Sequence, residues 1–163
     1  MTKIGLVSDT HGHIDDKLLD FFSNCRQIWH AGDIGSVEVL ETLSEKADIY
    51  AVYGNIDGQE LMKMCGLNKR FKCENMNIWI THIGGYPGKY DMKIKTEIFR
   101  NPPDIFVSGH SHILKIIFDK KINCLHINPG AYGKYGDHVM RTAVRFDIDG
   151  RDVKNMEILE IKR

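Results

Sequence analysis

Five short apolar runs each end in a tight turn carrying Asp, Asn or His, and this recurrence constrains the fold more than any other feature. Ile4 to Ser8 leads into Asp9-Thr10-His11, and Gln27 to His30 leads into Ala31-Gly32-Asp33. Ile49 to Tyr53 leads into Gly54-Asn55-Ile56-Asp57, and Asn77 to Thr81 into His82-Ile83-Gly84. Ile105 to Ser108 ends in Gly109-His110-Ser111-His112, where two imidazoles stand two residues apart. Runs of this length and apolarity read as buried strands. After each of the first three turns the spacing becomes helical. Asp15-Asp16 open a helix with Leu18, Leu19, Phe21 and Phe22 on its apolar face; Ser36 caps Val37 to Lys46; and Glu60 to Leu67 forms a short third helix.

The later chain is organised differently. Phe71 to Glu74 and Asn77 to Thr81 form an antiparallel pair around Asn75-Met76, followed by the loop Gly84 to Tyr90 and a helix from Met92 to Arg100. Asn101-Pro102-Pro103 stops that helix, since proline has no amide hydrogen to donate. Leu114 to Asp119 pairs with Ile122 to Ile127 across Lys120-Lys121, and Asn128 to Tyr132 is a rigid turn. Thr142 to Ile148 and Val153 to Ile161 make a last hairpin around Asp149-Gly150. Strand–helix units first and hairpins later predict two sheets packed together with helices outside. With no linker, repeat or low-complexity tract, residues 1–163 are expected to form one domain.

Composition removes several function classes. Lys plus Arg and Asp plus Glu both number 22, so no net field draws the chain to long nucleic acid or to an anionic membrane. No apolar run approaches the ~20 residues of a spanning helix. Met1 is followed almost at once by a strand, which leaves no room for a signal peptide, and a soluble, cytoplasmic protein is expected. Cys25, Cys65, Cys73 and Cys124 contain no Cys-x-x-Cys pair and read as free thiols. The composition is compatible with a homo-oligomer.

The turns supply Asp9, His11, Asp33, Asn55, His82, His110 and His112. Taken singly, each has an ordinary explanation. Asp9 or Asp33 can cap a turn, a Gly-Asn turn is common, and a His-x-His pair can be a hydrogen-bonded loop. His30, lying inside a strand, reads as a structural histidine, and Asp57 reads as a cap or as a support for ligand orientation. Together the seven are oxygen and imidazole donors without a thiolate. That set suits manganese, iron, zinc or nickel, and contains too much imidazole for calcium. Seven donors exceed the needs of one tetrahedral ion and suit two ions bridged by a carboxylate, a recurrent device in phosphoryl chemistry.

The motifs Asp-x-His, Gly-Asp, Gly-Asn-x-Asp, Thr-His and Gly-His-x-His, in this order from Lys3 to about Tyr132, resemble the calcineurin-like metallophosphoesterase superfamily. Chain length and the segment Ile127-Asn128-Pro129-Gly130 resemble its small prokaryotic phosphodiesterase branch (YfcE-like). The resemblance implies an α/β fold, a four-layer α/β/β/α sandwich with two mixed sheets flanked by helices. It also implies a phosphoesterase, in particular a phosphodiesterase, acting on a small phosphoester. Asp9, His11 and His112 would hold one ion, Asn55, His82 and His110 a second, and Asp33 would bridge them. Asp33, Asn55 and His82 would be the catalytic residues, and manganese the expected metal, with iron, zinc and nickel as substitutes.

One departure qualifies the resemblance. Many members of the superfamily have histidine after the Asn of the third motif, where this chain has Ile56, which cannot protonate a leaving oxygen. His13 and His138 are the alternative acids. Tyr86, Tyr90 and Tyr132 are candidates to stack on substrate from the cleft wall. Two rival readings carry forward: a non-catalytic scaffold like the retromer subunit of the same fold, and a metal-dependent nuclease.

Overall fold

The computed structural model describes residues 1–163. The first half alternates β1 (Thr2–Val7), α1 (Asp16–Phe21), β2 (Gln27–His30), α2 (Val37–Ser44), β3 (Asp48–Ala51) and α3 (Gln59–Cys65). Then follow β4 (Asn68–Cys73), β5 (Met76–Thr81), the short strands β6 (Gly85–Tyr86) and β7 (Lys89–Tyr90), and α4 (Met92–Arg100). The chain ends with β8 (Ile105–Val107), β9 (Leu114–Asp119), β10 (Cys124–Pro129), β11 (Met140–Asp149) and β12 (Asp152–Lys162).

One sheet has the order β12-β11-β1-β2-β3 and the other β4-β5-β8-β10-β9. β1, β2 and β3 run parallel, as do β5, β8 and β10, whereas β4, β9 and β11 pair antiparallel with their neighbours. Ile4, Leu6 and Trp29 of the first sheet pack between the sheets against Ile78, Ile80, Val107 and Ile127 of the second. Leu18, Phe22, Leu43 and Leu61 cover the outer face of the first sheet. On α4, Ile94 and Ile98 cover Trp79 and Phe106 of the second sheet, and each such burial stabilises by roughly 1.5–3 kcal/mol. The four layers are helices, sheet, sheet, helix, the arrangement expected from the sequence.

The boundaries differ where hydrogen bonding outweighs apolar pattern. β3 stops at Ala51 because the Tyr53 amide turns away to the Gly66 carbonyl. β4 begins at Asn68, earlier than its apolar residues indicate, because as an edge strand it tolerates Lys69 and Arg70. α2 ends at Ser44, and Ser36 sits at its N-cap without a side-chain hydrogen bond. Asp15 is the N-cap of α1, accepting from the Leu18 amide, so α1 starts at Asp16. All four cysteines are buried free thiols, as expected.

Candidate metal centre

The five motif turns leave the C-terminal ends of β1, β2, β3, β5 and β8, all strands that run parallel within their sheets. The two sheets therefore present the seven residues to one rim, the end at which α/β sheets place sites. Backbone strain collects there. Asp9, His11, Asp33, His110 and His112 have φ between 46° and 69°, and only three other non-glycine residues in the chain have positive φ. Asp and His tolerate the left-handed region better than most residues, but such positions still cost roughly 1 kcal/mol or more each and concentrate at functional sites. Glycine allows the turns to meet. A Cβ on Gly54 would fall 2.1 Å from Asp33 Oδ1, and one on Gly109 would fall 2.2 Å from Ser8 Oγ and 2.8 Å from Asp9 Oδ2.

Two donor groups result. Asp9, His11 and His112 form one, and Asp33, His82 and His110 the other; within each, the ligand atoms lie within 4.8 Å of one another. Asp33 Oδ2 stands 3.2 Å from His82 Nε2 and 3.6 Å from His11 Nε2, so it faces both groups. Asp9 Oδ1 lies 3.2 Å from His112 Nε2 and 3.8 Å from His82 Nε2. Asn55 Oδ1 lies 3.0 Å from His82 Nε2 and 3.1 Å from His110 Nδ1, which places the amide oxygen in the second group. All seven sequence candidates are thus brought together.

The remaining atoms of these side chains are held by the fold. Asp9 Oδ2 accepts from the Ser8 hydroxyl at 2.6 Å and from the His110 amide at 3.1 Å, and Asp33 Oδ1 accepts from the Ile56 amide at 3.0 Å. His82 Nδ1 is 2.7 Å from the Ala31 carbonyl, which can only accept; in the neutral ring Nδ1 carries the hydrogen and Nε2 turns its lone pair to the cluster. Asp57 accepts from the amides of Ile34, Gly35 and Gly54 and so ties the second turn to the third. The Asn128 amide group donates to the Gly109 carbonyl and to the Ser111 hydroxyl, bracing the Gly-His-Ser-His turn.

This arrangement is electrostatically suited to cations. Burial opposes charge on Asp33 and on His82, yet their contact prevails, lowering the Asp33 pKa and raising that of His82. His112 is raised chiefly by its contact with Asp9. Asp9 Oδ1 and His11 Nε2 are buried without any hydrogen-bond partner, an expensive state that a cation would relieve. The donor chemistry and the orphaned atoms fit divalent metal, and protons compete for the same atoms.

Other sequence candidates fall outside the cluster. His30 is structural: its Nδ1 accepts from the Gly32 amide, its Nε2 meets Thr10 Oγ1 at 3.0 Å, and burial pushes its pKa down to about 4. Tyr132 is a correction: it is fully buried and its hydroxyl donates to Asp15, so its ring cannot stack on substrate. Tyr90, whose hydroxyl donates to Asp119, lines the cleft beside the cluster with little of its surface exposed. Tyr86 remains on the rim of the cleft, and the exposed Tyr135, missed from sequence, lies with its ring centroid 5.3 Å from that of His11. Ile56 is exposed beside the cluster and contributes only its amide to Asp33. His138 packs edge-on to His112, but its Nε2 donates to the Gly133 carbonyl, which leaves an acceptor rather than an acid at Nδ1 in the neutral ring. His13 Nε2 lies 3.5 Å from Asp15.

The profile of the calcineurin-like phosphoesterase superfamily domain matches residues 2–151. A phosphodiesterase of Methanocaldococcus jannaschii, MJ0936, is 30% identical over 78% of this chain and 82% of its own. A probable metallophosphoesterase of Methanothermobacter thermautotrophicus is 29% identical over 67% of this chain and 66% of its own. Among solved structures, an archaeal phosphodiesterase superposes with TM-score 0.77 at 25% identity, covering 98% of this chain and 99% of the other. Vps29 of Entamoeba histolytica, solved with zinc, has the same fold with TM-score 0.75 at 16% identity, covering 98% of each chain. The strand-end turns, the donors they assemble and the extent of the match make this chain a member of the calcineurin-like phosphoesterase superfamily.

Proposed function

We propose that residues 1–163 act as one metallophosphoesterase domain that hydrolyses phosphodiesters with two divalent cations. The observation that carries this reading is that Asp33 faces both donor groups. Asp9, His11 and His112 would hold one cation, Asn55, His82 and His110 the other, and Asp33 would bridge them. Manganese is the first choice, and iron, zinc or nickel suit the same donors. When bound, such ions acidify water to give hydroxide near neutral pH and neutralise charge on the phosphate oxygens.

The chain's own groups define the rest. Asp33 brings the negative charge that lets two cations approach, and its Oδ1 is held by the Ile56 amide so that Oδ2 faces the cluster. His82 is fixed by the Ala31 carbonyl and cannot turn its Nε2 away. Asn55 offers a neutral oxygen, and its exposed side chain can also meet substrate. Ile56 offers no proton, so the leaving oxygen departs without help from this position.

Hydrolysis of bis-p-nitrophenyl phosphate by metal-free and manganese-loaded protein tests the reading, with single-stranded DNA as a parallel substrate. Turnover of the small diester only with metal is expected, with loss by at least ~10²-fold in Asp33→Asn at unchanged melting temperature. Near-normal activity of that variant overturns the bridging role. A folded, metal-loaded protein that turns over neither substrate would support the scaffold reading, which rests on the Vps29 fold alone.

A further inference from the structure

Each large sheet ends in two edge strands, and three of these four carry a feature that discourages pairing with another chain. β3 has only four residues. β4 carries Lys69, Arg70 and Lys72. β12 carries Asp152, Lys154, Glu157, Glu160 and Lys162, and a bulge interrupts its pairing near Asn155, whose φ is 55°. β9 differs. It runs along β10 without a bulge, and Ile116, Ile117 and Phe118 stand in succession, 37%, 38% and 50% exposed. Its one lysine, Lys115, lies over Tyr86, 3.6 Å from the ring centroid. The backbone fixes which groups of β9 are free. The Leu125 amide donates to the Asp104 carbonyl and the Ile127 carbonyl accepts from the Ser108 amide, so these residues of β10 turn their peptide groups toward β8. His126 and Asn128 therefore bond to Ile117 and Lys115, and the amides and carbonyls of Leu114, Ile116 and Phe118 face outward.

We propose that β9 pairs antiparallel with β9 of a second copy about a two-fold axis at Ile117, joining two five-stranded sheets into one. The proposal is independent of the phosphodiesterase reading. In this register Ile116 meets the partner's Phe118, and their outward amides and carbonyls form hydrogen-bonded pairs. Ile117 meets the partner's Ile117 at the closer, non-hydrogen-bonded spacing, and Lys115 stands opposite the partner's Asp119 on the same face. Apolar groups and opposite charges are thus matched together. Shifting the register by one residue sets outward peptide groups against inward ones. Shifting it by two sets Lys115 opposite the partner's Lys121 in one direction and parts Lys115 from the partner's Asp119 in the other. A two-fold contact uses the same edge on both copies, so assembly stops at a dimer. Two six-residue strands bury less than the ~1,600 Å² of a standard interface, so the dimer should dissociate in the micromolar range.

Sedimentation velocity over a concentration series should show a monomer–dimer equilibrium in wild type and nothing larger. Ile117→Lys sets two ammonium groups against each other on the axis and should raise the dissociation constant about tenfold or more, with circular dichroism confirming the fold. Should that variant fail to fold, Lys115→Glu, which opposes acidic groups across the seam, should raise it about threefold. In Ile117→Cys the two thiols meet at a Cα separation of ~4.5 Å, within disulfide range, and mild oxidation should trap a covalent dimer. The four native cysteines are buried and do not compete. Met92→Cys, at a position 90% exposed on α4, and Ile158→Cys, on the β12 edge, should cross-link more slowly. A wild type that stays monomeric throughout, with Ile117→Cys no faster to cross-link than Met92→Cys, overturns the proposal. A dimer that survives Ile117→Lys and is trapped by Ile158→Cys instead overturns it as well.

Discussion

The metal cluster and the neighbouring cavity meet at His110 yet are built on opposite terms. In the cluster, position is over-determined. Asp9 is held by Ser8 and the His110 amide, Asp33 by Ile56 and His82 by Ala31, and five of the seven donors keep left-handed backbone that the surrounding hydrogen bonds impose. In the cavity, the wall is a two-strand flap, β6 and β7, with Tyr86 and Lys89 exposed. The contrast matches two chemical needs. Fixed donors stabilise developing charge without reorganising, whereas an open wall leaves room for the rest of a substrate.

The largest expected effect concerns what the fixed side lacks. With Ile56 where an acid would stand, alkyl esters should be cleaved more slowly than aryl esters by ~10²–10⁴-fold, the usual worth of general-acid assistance. A plot of log kcat/KM against leaving-group pKa for methyl aryl phosphates should slope steeply downward. A flat plot would mean that a proton donor does stand in the open wall, and would break the division between the two regions.

Next comes the frame behind the cluster. Asp57→Ala removes the acceptor of three amides, those of Ile34, Gly35 and Gly54. Stability should fall by about 3 kcal/mol and metal affinity by ~10–100-fold, although Asp57 belongs to neither donor group. Urea unfolding and metal titration measure the two losses. A variant of normal stability that still binds metal normally would show that the turns hold their positions without it.

A smaller effect separates the two histidines of the Gly-His-Ser-His turn. His110→Ala and His112→Ala should each weaken metal uptake by ~10-fold, but from different ions, because their ligand atoms fall in different donor groups. Metal content by elemental analysis should leave one tightly held ion in each variant, and anomalous diffraction at the metal edge should place the survivors differently. Identical residual sites would merge the two groups into one.

The smallest effect lies at the back of the cluster, in the buttress of Asp15, Tyr132 and Arg141. Burial alone would raise the Asp15 pKa, but the Tyr132 hydroxyl, the Arg141 guanidinium and the Leu18 amide outweigh it and hold the value at about 2. A folded value below the unfolded one adds stability above the unfolded pKa of ~3.9 and loses it as pH falls toward the folded value. Asp15→Asn should therefore cost about 1–2 kcal/mol at pH 7, after allowance for solvent screening, and almost nothing near pH ~2. A urea midpoint difference that stays constant across that range would assign the loss to geometry instead of charge.

Much of this molecule is written locally in its sequence. Asp9, Asp33, Asn55, His82 and the pair His110 and His112 each follow a buried apolar run, and that context lies within a few residues of the donor itself. An apolar run followed by a glycine-flanked polar turn specifies a strand and what stands at its end, so the four layers and the order of the motifs are legible without coordinates. What tertiary structure alone decided concerns partners distant in the chain. His30, His82 and His126 are all buried histidines, and their different fates depend on Thr10, Ala31 and, for His126, Phe106. Tyr132 looks like a cleft residue in sequence and becomes a core one because Asp15, 117 positions away, accepts its hydroxyl. Burial and hydrogen-bond satisfaction are sums over neighbours that the sheet topology brings together, and no local pattern contains them.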